Sequence, residues 1–298
     1  MLKNILHKIA RGIVFAISSL PMCVHYFVAD IIYFVMYRVV RYRRAVVRGN
    51  LLIVFPEKTD EERKAIEKRF YKHFSDYIVE TLKNFTISRE ELLKRMVIVN
   101  KDEINEQILR KGKSVFVYAA HFGNWEWFTV WPYILEAEIH TFYKKQRNKF
   151  VNDLTVYGRE RTGVTAVPSA NGYRHMVECK QKGKTTFTLI IADQSPKPTS
   201  SKLWINFFGR ETAFLGGPET IARKLDLALL YPSVVGYKRG YYQVKLVPIA
   251  INPKEVDAKE LVRRFAALLE DDIRNYPELW LWSHRRWKLK REDFPDDK

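Results

Sequence analysis

Residues Ser114-Val115-Phe116-Val117-Tyr118-Ala119-Ala120-His121-Phe122-Gly123-Asn124-Trp125-Glu126 pass from an unbroken apolar run into a polar one. An apolar run of this length, rich in β-branched and aromatic residues, reads as a strand buried on both faces, Ser114–Ala119. Ligands in open α/β sheets sit beyond the carboxyl ends of such strands. A histidine there, followed by a carboxylate a little over one helical turn later, suits a general base and its orienting partner. Glu126 would accept the Nδ1 proton and fix the tautomer, leaving His121 Nε2 to take a proton from a substrate. Gly123 permits a tight turn, and Asn124 can cap a helix over Asn124–Glu136. A core histidine beside a surface glutamate would leave the same local pattern.

Outward from this stretch, strands and helices alternate. Upstream, Thr59 and Glu62 form a capping-box pattern ahead of a helix with Ile66, Phe70, Phe74 and Ile78 on one face. A short strand at Val97–Val99 and a helix at Asp102–Arg110 follow. Downstream come strand Ile139–Tyr143, helix Asn148–Arg159, strand Val164–Val167, helix Tyr173–Gln181 and strand Thr185–Ala192. Helix Pro218–Leu225, strands Leu229–Val235 and Tyr242–Val247, and helix Ala258–Asn275 complete the pattern. The expected fold is α/β, a mixed central sheet flanked by helices, with an N-terminal membrane-anchoring helix.

Two further stretches invite chemistry. Strand Thr185–Ala192 runs into Asp193-Gln194-Ser195-Pro196, residues that line a site or simply make a turn. Beyond Phe207-Phe208-Gly209, Gly217-Pro218 opens a helix whose free amides would suit an anion or an oxyanion.

The chain has 298 residues, is 47% hydrophobic and 14% aromatic, and carries a net charge of +17. So basic a surface favours polyanionic partners, among them anionic lipid headgroups, phosphorylated sugars, acidic carrier proteins and nucleic acid. Cys23 and Cys179 give neither a disulfide framework nor a zinc spacing. From Gly12 to Tyr37 the only formal charge is Asp30, and basic residues flank the run, more heavily on its C-terminal side. That pattern predicts a membrane anchor with the remaining chain in the cytoplasm. Pro21 and Asp30 weaken a simple span, so a kinked helix lying in the interface stands beside it as the alternative. The expected organisation is an anchor and basic flank over residues 1–48 and a catalytic domain over 49–298.

Taken together, the motifs resemble the late acyltransferases of lipid A biosynthesis, the lauroyl- and myristoyl-transferase type. They are His121 to Glu126 (HFGNWE), Asp193-Gln194, Phe207-Phe208-Gly209 with Gly217-Pro218, and the block from Pro277 to Lys288 (PELWLWSHRRWK). Asn50-Leu51 and Phe55-Pro56 fit the same order, which extends over nearly the whole chain.

The resemblance implies a fold related to the glycerolipid acyltransferases, an acyl carrier protein thioester as donor with acyl-CoA as the alternative, a lipid A precursor hydroxyl as acceptor, and no metal or bound cofactor. It implies a place at the bacterial inner membrane with the catalytic domain on the cytoplasmic side. His121 would be the base and Glu126 its partner, where glycerolipid acyltransferases usually carry Asp. Arg159-Glu160-Arg161 matches the family's Arg-x-Arg stretch without saying which arginine acts. Arg159, Arg161 and the Gly217 amide are candidate oxyanion donors, and Trp125, Phe207 and Phe208 candidate walls for an acyl chain. Asn124, Asp193, Gln194 and Gly209 complete the expected substrate-binding set.

The aromatic and basic tail, Trp280 through Lys288, would face headgroups or sugar phosphates. Nucleic acid is not an expected partner, since it explains neither the anchor nor the His–Glu pair. Acyl transfer to a lysophospholipid, an aminolipid or a glycosylated phosphatidylinositol is the enzymatic alternative, and a non-catalytic basic membrane scaffold is the alternative of another class.

Overall fold

The computed structural model describes residues 2–294, with side chains from His7 onward. Among the described residues there are nine strands: β1 (Met96–Ile98), β2 (Val115–Ala119), β3 (Glu138–Tyr143), β4 (Thr165–Pro168), β5 (Thr186–Ile191), β6 (Lys202–Phe207), β7 (Arg210–Leu215), β8 (Ala228–Lys238) and β9 (Tyr241–Ala250). The α-helices are α1 (Leu2–Ser19), α2 (Met22–Phe34), α3 (Arg44–Val54), α4 (Asp60–Lys83), α5 (Arg89–Arg95), α6 (Lys101–Ile104), α7 (Lys149–Glu160), α8 (Gly172–Gln181), α9 (Pro218–Leu225) and α10 (Ala258–Asn275).

Seven strands form one mixed sheet in the order β1-β9-β8-β2-β5-β3-β4. Strands β8, β2, β5, β3 and β4 run parallel to one another, while β8 and β9 form an antiparallel hairpin and β1 lies parallel to β9. Strand β2 sits between β5 and β8, and each of its residues is fully buried. This central position explains its uninterrupted apolar sequence, because neither face meets water.

The expected capping box is present: Glu62 donates its amide to the Thr59 hydroxyl at 3.2 Å, and its carboxylate accepts from the Thr59 amide at 2.8 Å. Helix α4 is the hub of the N-terminal half. One turn of α4 buries Glu80, whose carboxylate accepts from Tyr26 at 2.9 Å, Asn124 at 2.7 Å and Tyr242 at 3.0 Å. Burial pushes the Glu80 carboxyl up to about 7, even though these donors pull it down.

The single helix expected over the apolar run is broken at Leu20-Pro21 into α1 and α2. Proline lacks the amide that would continue the ladder, and the freed carbonyls are met from α4: the Lys83 ammonium donates to Ser18 O at 3.0 Å and Leu20 O at 2.9 Å. Asp30 pairs with Arg239 at 2.7 Å, and the same guanidinium holds buried Asp76 at 2.6 Å. The charge that argues against a simple span is therefore spent on the body of the protein. Met22–Val39 remains long and apolar enough to cross a membrane by length and composition. Ile9, Ile13, Ile17, Phe27, Ile31 and Phe34 are exposed along the two helices, while Met22, His25 and Ala29 are buried. The boundary at residue 48 falls inside α3, whose Asn50 donates to Trp282 O at 2.8 Å and His284 O at 2.7 Å.

Two elements differ from expectation. The segment after Asn124 is a 3-10 helix, Trp125–Tyr133, with Pro132 inside it. Strands β6 and β7, unforeseen from the sequence, form a separate antiparallel hairpin turning at Phe208-Gly209. Both turn residues have positive φ, 52° and 72°, as a two-residue hairpin turn requires.

Candidate active site

The site stands where adjacent parallel strands end. Ala119 of β2 is in register with Ile191 of β5, and Ala192 donates its amide to Ala119 O at 3.0 Å. Two residues further along both chains, His121 and Asp193 meet: the imidazole Nδ1 lies 2.6 Å from the Asp193 carboxylate. Asp193 is only 2% exposed, and its other oxygen accepts from the Trp280 indole at 2.9 Å. Burial alone would raise this carboxyl, but His121 and Trp280 hold it below the usual carboxylate range. An ionised Asp193 draws the proton to Nδ1 and leaves Nε2 as the acceptor. The Gln194 amide nitrogen lies 3.5 Å from that Nε2, and the Trp125 indole stands edge-on to the imidazole with ring centres 4.9 Å apart.

The expected partner of His121 sits elsewhere. Glu126 pairs with Arg159 at 3.1 Å, and the carboxylate in contact with the imidazole is that of Asp193. The physical reason is local. Asn124 caps the 3-10 helix, and Glu126 follows on its first turn toward α7, which carries Arg159. Glu126 and Arg159 line an apolar pocket together with Trp125, Phe128, Trp131, Ile139, Phe142 and Leu189.

The remaining expected site residues divide. Gln194, Trp125 and Arg159 belong to the site or its adjoining pocket. Arg161 does not; it donates to Asn84 O at 3.0 Å and Ile87 O at 2.8 Å, satisfying carbonyls just past α4. Asn124 is a buried strut that accepts from the Trp127 amide and donates to Glu80. Phe207 packs among Phe214, Trp280 and Trp287 in the core. Phe208 and Gly209 form the hairpin tip, beside Ile53, Phe55, Pro56 and Arg274, so neither walls the pocket next to His121. The Gly217 amide donates to the Glu219 carboxylate at 2.9 and 3.0 Å, so it is not free for an oxyanion.

The tail is also unlike its expected surface. Trp280, Trp282 and Arg286 are buried, and the Arg286 guanidinium lies over the Phe214 ring at 4.3 Å and donates to Ala213 O. This block closes over the histidine turn: Gly123 donates to Leu279 O, and Leu281 donates to His121 O. Trp280, expected among surface residues facing headgroups, supports Asp193 with its indole, and Glu80, which the sequence does not single out, braces Asn124. Their signal is weak, a tryptophan in an aromatic block and one acidic residue in a charged helix.

Comparison with known proteins identifies the family. The model of the bacterial lipid A biosynthesis acyltransferase family matches residues 1–289. The chain is 22% identical over 287 residues to the lipid A biosynthesis lauroyltransferase of Escherichia coli K12, covering 95% of this chain and 92% of the relative. It is 23% identical over 251 residues to the lipid A biosynthesis palmitoleoyltransferase of the same organism, covering 83% and 79%. It is 22% identical over 242 residues to a lipid A biosynthesis acyltransferase of Haemophilus influenzae, covering 80% and 74%. A match that runs from residue 1 to residue 289 places the chain in the bacterial lipid A biosynthesis acyltransferase family.

Proposed function

We propose that this acyltransferase moves a fatty acyl chain from an acyl carrier protein thioester to a hydroxyl of a lipid A precursor, with His121 as general base and Asp193 as its orienting carboxylate. The observation that carries this reading is the 2.6 Å contact between His121 Nδ1 and buried Asp193, which leaves Nε2 as the ring nitrogen able to accept a proton. A thioester is already activated, and the difficulty is the weak nucleophile. As the hydroxyl oxygen attacks the thioester carbonyl, its proton passes to Nε2, a step commonly worth about 10²–10⁴ in rate. Asp193 stabilises the imidazolium that results. Collapse of the tetrahedral state breaks the carbon–sulfur bond, and the imidazolium returns its proton to the departing thiolate. The Gln194 amide, beside Nε2, is the side-chain donor proposed for the developing oxyanion. The apolar pocket takes the acyl chain, with the Glu126–Arg159 pair fixing its polar wall.

The exposed apolar residues of α1 and α2 would lie in the interface of the inner membrane, with the catalytic domain on the cytoplasmic side. The net charge of +17 would attract both an acidic carrier and a phosphorylated acceptor. The decisive experiment is mass spectrometry of lipid A from a strain lacking the gene and from the same strain complemented with wild type or His121→Ala. Loss of one acyl chain, restored by wild type alone, is the expected result. Unchanged lipid A in the deletion strain would exclude this acceptor.

A further inference from the structure

Side chains of metal-ligating type converge at a second place, on β3 and α8. His175 and Cys179 are four apart on α8 and so share one of its faces. His140, on β3, points at them. The His175 Nε2 lies 3.3 Å from His140 Nδ1 and 3.6 Å from Cys179 Sγ, and all three donor atoms fall within 4.8 Å of one another. Tetrahedral zinc, with Zn–N of about 2.0–2.1 Å and Zn–S of about 2.3 Å, sets its nitrogen ligands roughly 3.3 Å apart and a nitrogen and a sulfur roughly 3.5 Å apart. The two separations from His175 match those edges. His140 and Cys179 are buried and His175 is half-buried, so solvent reaches one side of the cluster.

The surroundings fit a ligated His140 as well. If Nδ1 holds the ion, the proton sits on Nε2, and the Glu138 carboxylate stands 3.6 Å behind that nitrogen while Lys184 anchors its other oxygen at 2.8 Å. A carboxylate behind a ligating imidazole orients the ring and raises its basicity. The backbone brings the elements close: a Cβ at Gly172, the first residue of α8, would stand 2.8 Å from the Phe142 ring of β3.

We propose that His140, His175 and Cys179 form a zinc site, with a water in the fourth position, that pins α8 to the strand lining the apolar pocket. Thiolate and imidazole together favour zinc over magnesium or calcium, which take oxygen ligands. The ion has no part in proton transfer at His121, and the proposal stands independently of the acyl-transfer reading.

The test uses the full chain, purified in detergent from zinc-supplemented cells. Elemental analysis should find near-stoichiometric zinc in wild type and background levels in Cys179→Ser and in the His140→Gln, His175→Gln double variant. Replacing zinc with cobalt(II) should produce a thiolate-to-cobalt charge-transfer band in wild type, absent from Cys179→Ser. Adding zinc to chelator-treated wild type should raise its Tm and leave Cys179→Ser unmoved. Zinc at background in wild type, together with no thiolate–cobalt band, would overturn the site. That wild-type measurement decides the matter even if a variant fails to fold. Equal zinc in wild type and the folded variants would overturn it too.

Discussion

Asp193 and Glu126 are two acidic candidates of the sequence, Glu126 expected at His121 and Asp193 in the substrate-binding set, and the fold puts Asp193 at the histidine instead. Glu126 is five residues from His121 but faces Arg159 across the apolar pocket. Asp193 is 72 residues away, yet lies 2.6 Å from the imidazole. Nearness along the chain counts for less here than nearness across a sheet. Adjacent parallel strands deliver their following residues to the same edge, whereas the short 3-10 helix after Asn124 carries Glu126 away toward α7.

Substitutions can break the comparison. The largest effect is expected from His121→Ala, which should lower kcat by about 10²–10⁴ or more while the protein still folds and binds detergent micelles. Near-normal turnover in a purified acyl-transfer assay would end the assignment of a base. Asp193→Asn should come next, because an amide at Nδ1 permits the wrong tautomer; a fall approaching 10⁴ in kcat is expected by analogy with other His–carboxylate pairs. Glu126→Gln should cost clearly less. If Glu126→Gln proves the more damaging of the two at unchanged KM, the roles assigned to the carboxylates must be exchanged.

Two arginines, Arg159 in the pocket wall and Arg161 outside it, sharpen the same contrast. Arg159→Gln leaves Glu126 unpaired beside the pocket and should change both KM and kcat. Arg161→Gln should leave kcat near wild type and lower stability by about 1–3 kcal/mol, the cost of carbonyls left without donors, read by chemical denaturation. A kcat effect confined to Arg161 would contradict its role as a cap on the end of α4.

The smallest effect is in pH dependence. Glu80 titrates near 7 in the fold against an ordinary value of 4.5, so the native state binds the extra proton. Stability from this group is therefore full below about pH 4.5 and is lost as pH rises through about 7. Glu80→Gln should flatten that part of the stability profile, monitored by thermal melts across this range. A profile that keeps its slope would show that another group is responsible.

Much of the fold could be read in advance because its signals are local. The uninterrupted apolar β2 and β5, the capping box at Thr59 and the helix opening at Pro218 all report on themselves. The site was half legible. His121 announces itself by following a buried strand, and Asp193 and Gln194 follow another, but strand order was needed to bring the two ends together. Glu126 shows the limit of the reading, since helical spacing was assumed where Asn124 and Pro132 favour a 3-10 turn. The β6–β7 hairpin was missed because Phe208 occupies a left-handed turn position that usually signals itself with Asn or Gly. The zinc-type cluster was missed for a similar reason. Two of its members are one turn apart on α8, but the third comes from another element.

The register between β2 and β5 bears on how this enzyme can change its length. The offset that pairs Ala119 with Ile191 is the one that pairs His121 with Asp193, so a single hydrogen-bond ladder acts as the ruler for the reacting groups. An inserted or deleted residue between Ala119 and His121, or between Ile191 and Asp193, would move one partner by a full step along the strand, about 3.3 Å, and turn it to the opposite face. Gains and losses of sequence should be borne more easily at turns outside this ladder, the turn between β8 and β9 excepted, because its Arg239 holds Asp30 and buried Asp76. Relatives with longer or shorter loops should therefore keep these two short spacers unaltered, and grafts that swap acyl pockets between such enzymes should place their junctions outside them.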